Sequence, residues 1–194
     1  MTGVGDLVPD HEYFRDFLDA NQSAQLMESL VATTPWRDDV ITLFGRTHLV
    51  PRRTALFGEP GARYTYSRIV MDPLPWPDNV LEIRQRIEAI ADASFNAVLV
   101  NLYRNGSDSN GWHADDEAEL GQNPVIASVS LGAPRTMKFK RRDGSARWSV
   151  ALEPGSLLVM RGDSQSDWLH TIPKELRVRE PRVNLTFRLV ATST

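Results

Sequence analysis

The chain has 194 residues, a length that suits one compact domain able to bury its own core. It contains no cysteine, which excludes disulfides, Cys zinc sites, iron–sulfur clusters and a thiol nucleophile. Lys plus Arg is 22 and Asp plus Glu is 25, a net charge of −3 that argues against a generally basic nucleic-acid binder and leaves local basic patches open.

The opening MTGVGDLVPDHEYFRDFL lacks a basic region followed by an apolar run. No stretch approaches the roughly 18 uninterrupted apolar residues of a membrane span. The chain is therefore expected to be soluble and cytoplasmic (nuclear if eukaryotic), with no membrane partner, and to act as a monomer. In chain order, Asp10 is placed to cap a short helical turn carrying Phe14, Phe17 and Leu18. Ser23 is placed to cap a second helix with Leu26, Met27, Leu30 and Val31 on one face, stopped by Pro35. Residues 38–50 read as strand, kink and strand. PWPDN at 75–79 is a breaker, followed by a helical stripe of Val80, Ile83, Ile87 and Ile90 running to about Ala93.

Beyond that point short runs rich in Val, Leu, Ile and Phe recur between turn residues, at 95–103, 125–132, 135–141, 147–153, 156–161 and 182–190. Helices before strands give an α+β reading, with the helices against one face of the sheets. A jelly roll is the preferred architecture because of the polar residues. Side chains alternate along a strand, so Val183, Leu185, Phe187 and Leu189 form one face of the last run and Arg182, Asn184, Thr186 and Arg188 the other. Asn101 and Tyr103 likewise lie opposite Val100 and Leu102. A barrel with such groups inside has a polar pocket in its mouth.

Only four histidines are present, His11, His48, His113 and His170. In an extended HADDE (113–117), His113 and Asp115 point the same way and can take adjacent positions on one metal. His170 can supply a third ligand. Two His and one carboxylate on one face of an octahedron leave sites for a chelating cosubstrate and O2, the arrangement of non-haem Fe(II) oxygenases. In REPRVNLTFR (179–188), Arg182 and Arg188 share a strand face. Buried arginines require anions, and 2-oxoglutarate carries a carboxylate at each end.

These residues resemble the AlkB family of Fe(II)/2-oxoglutarate-dependent nucleic-acid dealkylases, closest to the homologues that repair alkylated DNA bases. The resemblance covers about residues 40–190 and is carried by NLYRNGSDSNGWHADDE (101–117), IASVSLG (126–132), PGSLLVMRG (154–162), DWLHTIPK (167–174) and PRVNLTFR (181–188). It implies a double-stranded β-helix (jelly-roll) core over 95–194. Residues 1–94 would hold N-terminal helices and a nucleotide-recognition lid, all in one continuous structural domain.

It also implies iron on His113, Asp115 and His170, which are the catalytic set as well. 2-Oxoglutarate would contact Asn101, Tyr103, Arg182, Asn184 and Arg188. Arg182 with Tyr103 would hold the 5-carboxylate, Arg188 would lie near the 1-carboxylate, and Asn101 would support the chelating end. Substrate contacts would come from Tyr64 and Tyr66 of the lid, Asp116 and Glu117 after the HxD pair, and Phe44 at a hairpin tip. Arg52, Lys140 and Arg141 would contribute basic groups.

The implied activity is oxidative demethylation of 1-methyladenine- and 3-methylcytosine-type bases. The products would be formaldehyde, succinate and CO2. The partner is alkylated DNA, with RNA open as a second substrate. An N-methyl group resists hydrolysis, whereas its oxidation gives a hemiaminal that loses formaldehyde unaided. The alternative is an oxygenase of the same fold acting on a protein, lipid or small molecule. It would share the metal set and the arginines, so Tyr64, Tyr66, Glu117 and the basic 138–142 segment discriminate between the two.

Overall fold

The computed structural model describes residues 7–43, 46–66 and 69–192, and of these the side chains of 42, 43, 46 and 66 are not described. Its frame is two antiparallel sheets facing each other. The larger has the order β1 (His11–Phe14), β12 (Leu157–Met160), β9 (Ile126–Gly132), β14 (Arg182–Arg188), β7 (Ala97–Tyr103), β4 (Arg53–Gly58). The smaller has the order β11 (Arg147–Leu152), β10 (Arg135–Arg141), β13 (Trp168–Ile172), β8 (Asn110–His113). Two hairpins stand apart, β2 (Val40–Leu43) with β3 (Arg46–Leu49), and β5 (Tyr64–Tyr66) with β6 (Ile69–Met71). This is the jelly-roll core with helices on one side that the alternating strands predict.

Two hydrophobic layers follow from strand alternation. One face of the large sheet, through Val98, Val100, Val129, Val183, Leu185 and Phe187, meets α1 (Ala20–Thr33) and α2 (Asp78–Ala91). Its other face meets the small sheet across Leu99, Tyr103, Met137, Phe139, Leu158 and Trp168. Each fully buried aliphatic side chain contributes roughly 1.5–3 kcal/mol, so the helices stabilise the back of the sheet and leave its inner face for chemistry.

The structure departs from the sequence expectations at both helices. Residues 11–14 are an edge strand paired with β12, His11 opposite Met160, rather than a turn capped by Asp10. Here tertiary pairing overrides local pattern. Asp19, not Ser23, caps α1. Its carboxylate accepts from the Gln22 backbone N–H while the Gln22 side chain accepts from the Asp19 N–H. Ser23 is buried inside the helix and Val31 is exposed. In α2 the buried stripe is Val80, Ile83, Ile87 and Ala91, Ile90 turns outward, and left-handed Asp92 ends the helix before Ala93. Leu189 lies past the end of β14 and is exposed.

The division between residues 1–94 and 95–194 is crossed by backbone hydrogen bonds. β1 and β4, both from the first part of the chain, are strands of the large sheet. Gly106 ties the loop after β7 to the segment before β14, donating to the Val178 carbonyl at 2.9 Å and accepting from Glu175 N–H at 2.8 Å. A Cβ there would sit 1.8 Å from the Glu175 oxygen, so the approach requires glycine.

Candidate active site

His113 is the last residue of β8 and His170 the centre of β13, and the two pair directly across the strands. Their rings lie 4.2 Å apart between centroids. Asp115 follows two residues beyond the end of β8. The ligand atoms of His113, Asp115 and His170 all lie within 4.8 Å of one another. The spacing H-x-D thus puts both groups at one point because the first ends a strand and the second begins the loop after it.

The surroundings fix the orientation of each group. His113 Nδ1 donates to the Gly111 carbonyl at 2.9 Å. Because a carbonyl only accepts, Nε2 is left with its lone pair, 3.2 Å from the Asn110 amide nitrogen. The Asp115 backbone N–H donates to Gln165 Oε1 at 2.9 Å, and Arg188 Nη2 donates to Asp115 Oδ1 at 2.8 Å. Burial pushes the Asp115 carboxyl up, but Arg188 and the two imidazoles outweigh it and hold it down at about 2. Burial pushes His170 down to about 3, helped by repulsion from His113, and burial also lowers His113. At neutral pH the set is therefore two neutral imidazoles and one carboxylate, the protonation state that metal ligation requires.

The inner face of β14 runs away from this cluster as Arg188, Thr186, Asn184 and Arg182, all buried. Asn184 donates to Ser128 Oγ at 2.8 Å and to the Val129 carbonyl at 3.0 Å, and Thr186 donates to Asn184 Oδ1 at 2.9 Å. At the far end Arg182 donates to Ser130 Oγ at 2.9 Å and lies 5.2 Å from the centre of the Tyr103 ring. Among the described residues it has no ion pair, and its Nε and Nη1 are buried without a hydrogen-bond partner. Burial lowers Arg182 to about 10, so it remains cationic at pH 7. Across the cavity Asn101 accepts from Arg52 Nε at 2.8 Å. Tyr103, Asn101, Asn184, Arg188, Asp115 and both histidines line one cavity between the sheets.

The residues expected to touch substrate are dispersed. Arg52 is not a surface phosphate contact; it is 3 % exposed and lines the cavity beside Asn101. Tyr64 is fully buried, with the Arg188 guanidinium 4.9 Å from its ring centre. Glu117 is half-buried near it. Burial and the Asp115 charge push its carboxyl up to about 7. Asp116 points to the surface and pairs with Arg142 at 2.5 Å. Arg141 pairs with Asp167 at 2.8 Å, and the Lys140 ammonium stands 4.5 Å from the Trp112 ring centre. Tyr66 belongs to β5 by its backbone, but its side chain lies outside the described residues, as does all of Phe44.

Several residues of the site had no role assigned from the sequence. Asn110, Ser128 and Ser130 lie within the 101–117 and 126–132 segments that carry the resemblance, whereas Gln165 lies outside all of those segments. Arg135, 2 % exposed, binds the Asp108 carbonyl at 2.9 Å and braces the loop under Tyr103.

Two neutral imidazoles and a carboxylate beside a buried arginine-bearing strand define the class of a mononuclear non-haem iron oxygenase. The buried Arg182 without an acid, and a ligand set already in its metal-binding protonation state, fit 2-oxoglutarate and Fe(II). A family model described as the 2OG-Fe(II) oxygenase superfamily matches residues 10–188.

The chain is 42 % identical over 184 residues to human "Alpha-ketoglutarate-dependent dioxygenase alkB homolog 3", covering 90 % of this chain and 64 % of the relative. It is 40 % identical over 158 residues to human "DNA oxidative demethylase ALKBH2", covering 77 % and 60 %. The chain thus spans just under two thirds of the length of these curated relatives. The solved structure of OsALKBH1 superposes with a TM-score of 0.68 at 20 % identity, covering 95 % of this chain and 99 % of that one, which speaks to the fold. The chain belongs to the 2OG-Fe(II) oxygenase superfamily and, within it, to the AlkB family.

Proposed function

We propose that the protein is an Fe(II)/2-oxoglutarate-dependent dioxygenase that oxidatively demethylates alkylated bases of the 1-methyladenine and 3-methylcytosine type in DNA, with RNA as a second candidate substrate. The observation that carries this reading is the inner face of β14. Its two buried arginines are about six residues apart, one bracing a metal-ligand carboxylate and the other left without an anion. A dicarboxylate with a chelating end at the metal and a free carboxylate at Arg182 completes both. The names of the curated relatives supply the substrate half of the proposal.

His113, Asp115 and His170 would hold Fe(II). Arg182 would clamp the 5-carboxylate of 2-oxoglutarate, with Tyr103 against the guanidinium. Asn101 and Asn184 would line the path between, and Arg188 would lie by the chelating end while holding Asp115 in place. Bound Fe(II) with 2-oxoglutarate and O2 supplies the oxidation, in which one oxygen atom enters succinate as CO2 leaves and the other enters the N-methyl group. The chain's own contribution is orientation and exclusion of water. Arg188, Gln165 and the Gly111 carbonyl keep the ligand atoms aimed, and the cavity between the sheets keeps the site dry. The hydroxymethyl product expels formaldehyde without a protein nucleophile.

Glu117 and Tyr64, with Tyr66 and Phe44, are the proposed base-side contacts, and a duplex base would have to be flipped to reach them. Residues 1–94 would serve as helical support and lid and 95–194 as the catalytic core, within one continuous unit that works as a monomer. No helix among the described residues is long and apolar enough to cross a membrane. The proposed place of action is where nucleic acid is repaired, the cytoplasm or a nucleus.

The test is release of formaldehyde and succinate in equal amounts from methylated DNA and RNA oligonucleotides, with unmethylated strands as controls. Succinate without formaldehyde on every methylated strand would move the assignment to a protein, lipid or small-molecule substrate.

A further inference from the structure

Trp112 is 42 % exposed, although it immediately precedes a proposed metal ligand. It sits on β8, at the edge of the small sheet, and no strand among the described residues pairs beyond it. Its indole helps line a groove that runs along Ile41, Val50 and Pro51 and shares Arg52, Asn110 and His113 with the metal cavity. The groove therefore adjoins the active-site cavity across these three shared residues and lies between β8 and the β2–β3 hairpin.

The charges around the indole are not alike. Arg141 and Arg142 are each paired with an acid, Asp167 and Asp116. Lys140 makes no ion pair among the described residues; its ammonium stands 4.5 Å from the Trp112 ring centre. Lys138, two residues earlier on β10, is exposed and equally without an acid. An exposed indole with an unneutralised ammonium against it suits a base followed by its phosphate. It suits an apolar side chain less, because that would leave the lysine charge unanswered.

We propose that Trp112 is the stacking platform for the nucleotide adjoining the lesion on a single strand, with Lys140 holding that nucleotide's phosphate. The assignment rests on the dealkylase reading for the identity of the strand. It adds a specificity element outside the base pocket, one that rewards a substrate with at least one neighbour over an isolated nucleotide.

The experiment compares the parent with Trp112→Ala, Trp112→Phe and Lys140→Gln on a short single-stranded oligonucleotide carrying one 1-methyladenine and on 1-methyladenosine 5′-monophosphate. Trp112→Ala should raise KM for the strand by about tenfold or more, the loss of one base–aromatic stack, with kcat near the parent's. KM for the mononucleotide and for 2-oxoglutarate should not move, and Trp112→Phe should recover most of the loss. Lys140→Gln should flatten the salt dependence of strand binding by about 0.7 in log–log slope, one phosphate contact.

Equal losses on strand and mononucleotide, or no loss on either, would overturn the proposal. Binding of an unmethylated strand, followed by fluorescence anisotropy, separates the two readings. A parent that demethylates no substrate yet binds the strand through Trp112 would keep this inference and overturn the dealkylase assignment.

Discussion

The inner face of the large sheet and the rim of the cavity use the same residue types for different ends. On the inner face, Arg182 and Arg188 are buried and their direction is set by the two-residue period of β14. On the rim, Arg141 and Arg142 lie at the end of a strand or just past it, and each meets a nearby aspartate. An inward arginine must find an anion or carry a large penalty, so its partner is informative. A rim arginine satisfied by an exposed acid contributes little and says little, since such pairs give about 0–1 kcal/mol. Position on a rigid strand, rather than charge itself, separates a site residue from a surface one.

That contrast is broken most severely at Asp115. Asp115→Ala removes a metal ligand and leaves Arg188 buried without its carboxylate. Loss of detectable turnover at saturating Fe(II) is expected, along with about 3 kcal/mol or more of stability by denaturant unfolding. Arg182→Lys comes next. An ammonium keeps the charge but not the fork, so the apparent KM for 2-oxoglutarate should rise at least tenfold, which steady-state kinetics with varied cosubstrate reads directly.

Between the two regions stands Glu117, half-buried beside Tyr64. At pH 8, where most of a carboxyl raised to about 7 is ionised, Glu117→Gln should weaken use of cationic 1-methyladenine and 3-methylcytosine relative to neutral 3-methylthymine by about 1–2 kcal/mol, a charge-assisted contact exchanged for a neutral one. Competition assays on oligonucleotides at fixed salt measure the difference, and equal losses would make Glu117 a loop acid. The smallest effect is expected at the rim itself. Arg142→Ala breaks only the exposed pair with Asp116, so stability should stay within about 0.5 kcal/mol and kcat should be unchanged.

The same contrast explains what the sequence made legible. The long strands with clear alternation, β7, β9, β10 and β14, lie close to their expected limits, and the split of β14 into Val183–Leu185–Phe187 and Arg182–Asn184–Thr186–Arg188 matches the two faces observed. H-x-D and His170 converge because β8 and β13 pair at His113 and His170, a register that no local pattern encodes. The strands missed were β1, β4, β5, β6, β8 and β13; of these β1, β4, β8 and β13 pair with strands far along the chain, while β5 and β6 are three-residue strands that pair only with each other. Arg52 read as a surface cation because RR after a kink carries no period. Its burial follows from the approach of Asn101 on β7. Rim pairs such as Asp116 with Arg142 bring together residues from separate loops, so the residues were visible and their mutual neutralisation was not.

The central claim is that the β14 face is a cosubstrate track with the metal at one end and Arg182 at the other. An anaerobic titration of 2-oxoglutarate into Fe(II)-loaded protein, followed by the charge-transfer absorption of a chelated α-keto acid, tests it without turnover. The parent should develop the band and saturate. Arg182→Lys should reach the same band only at much higher 2-oxoglutarate, and Asp115→Ala should not form it. A parent that binds Fe(II) but gives no band, or an Arg182→Lys protein that saturates at the parent's concentration, would contradict the account.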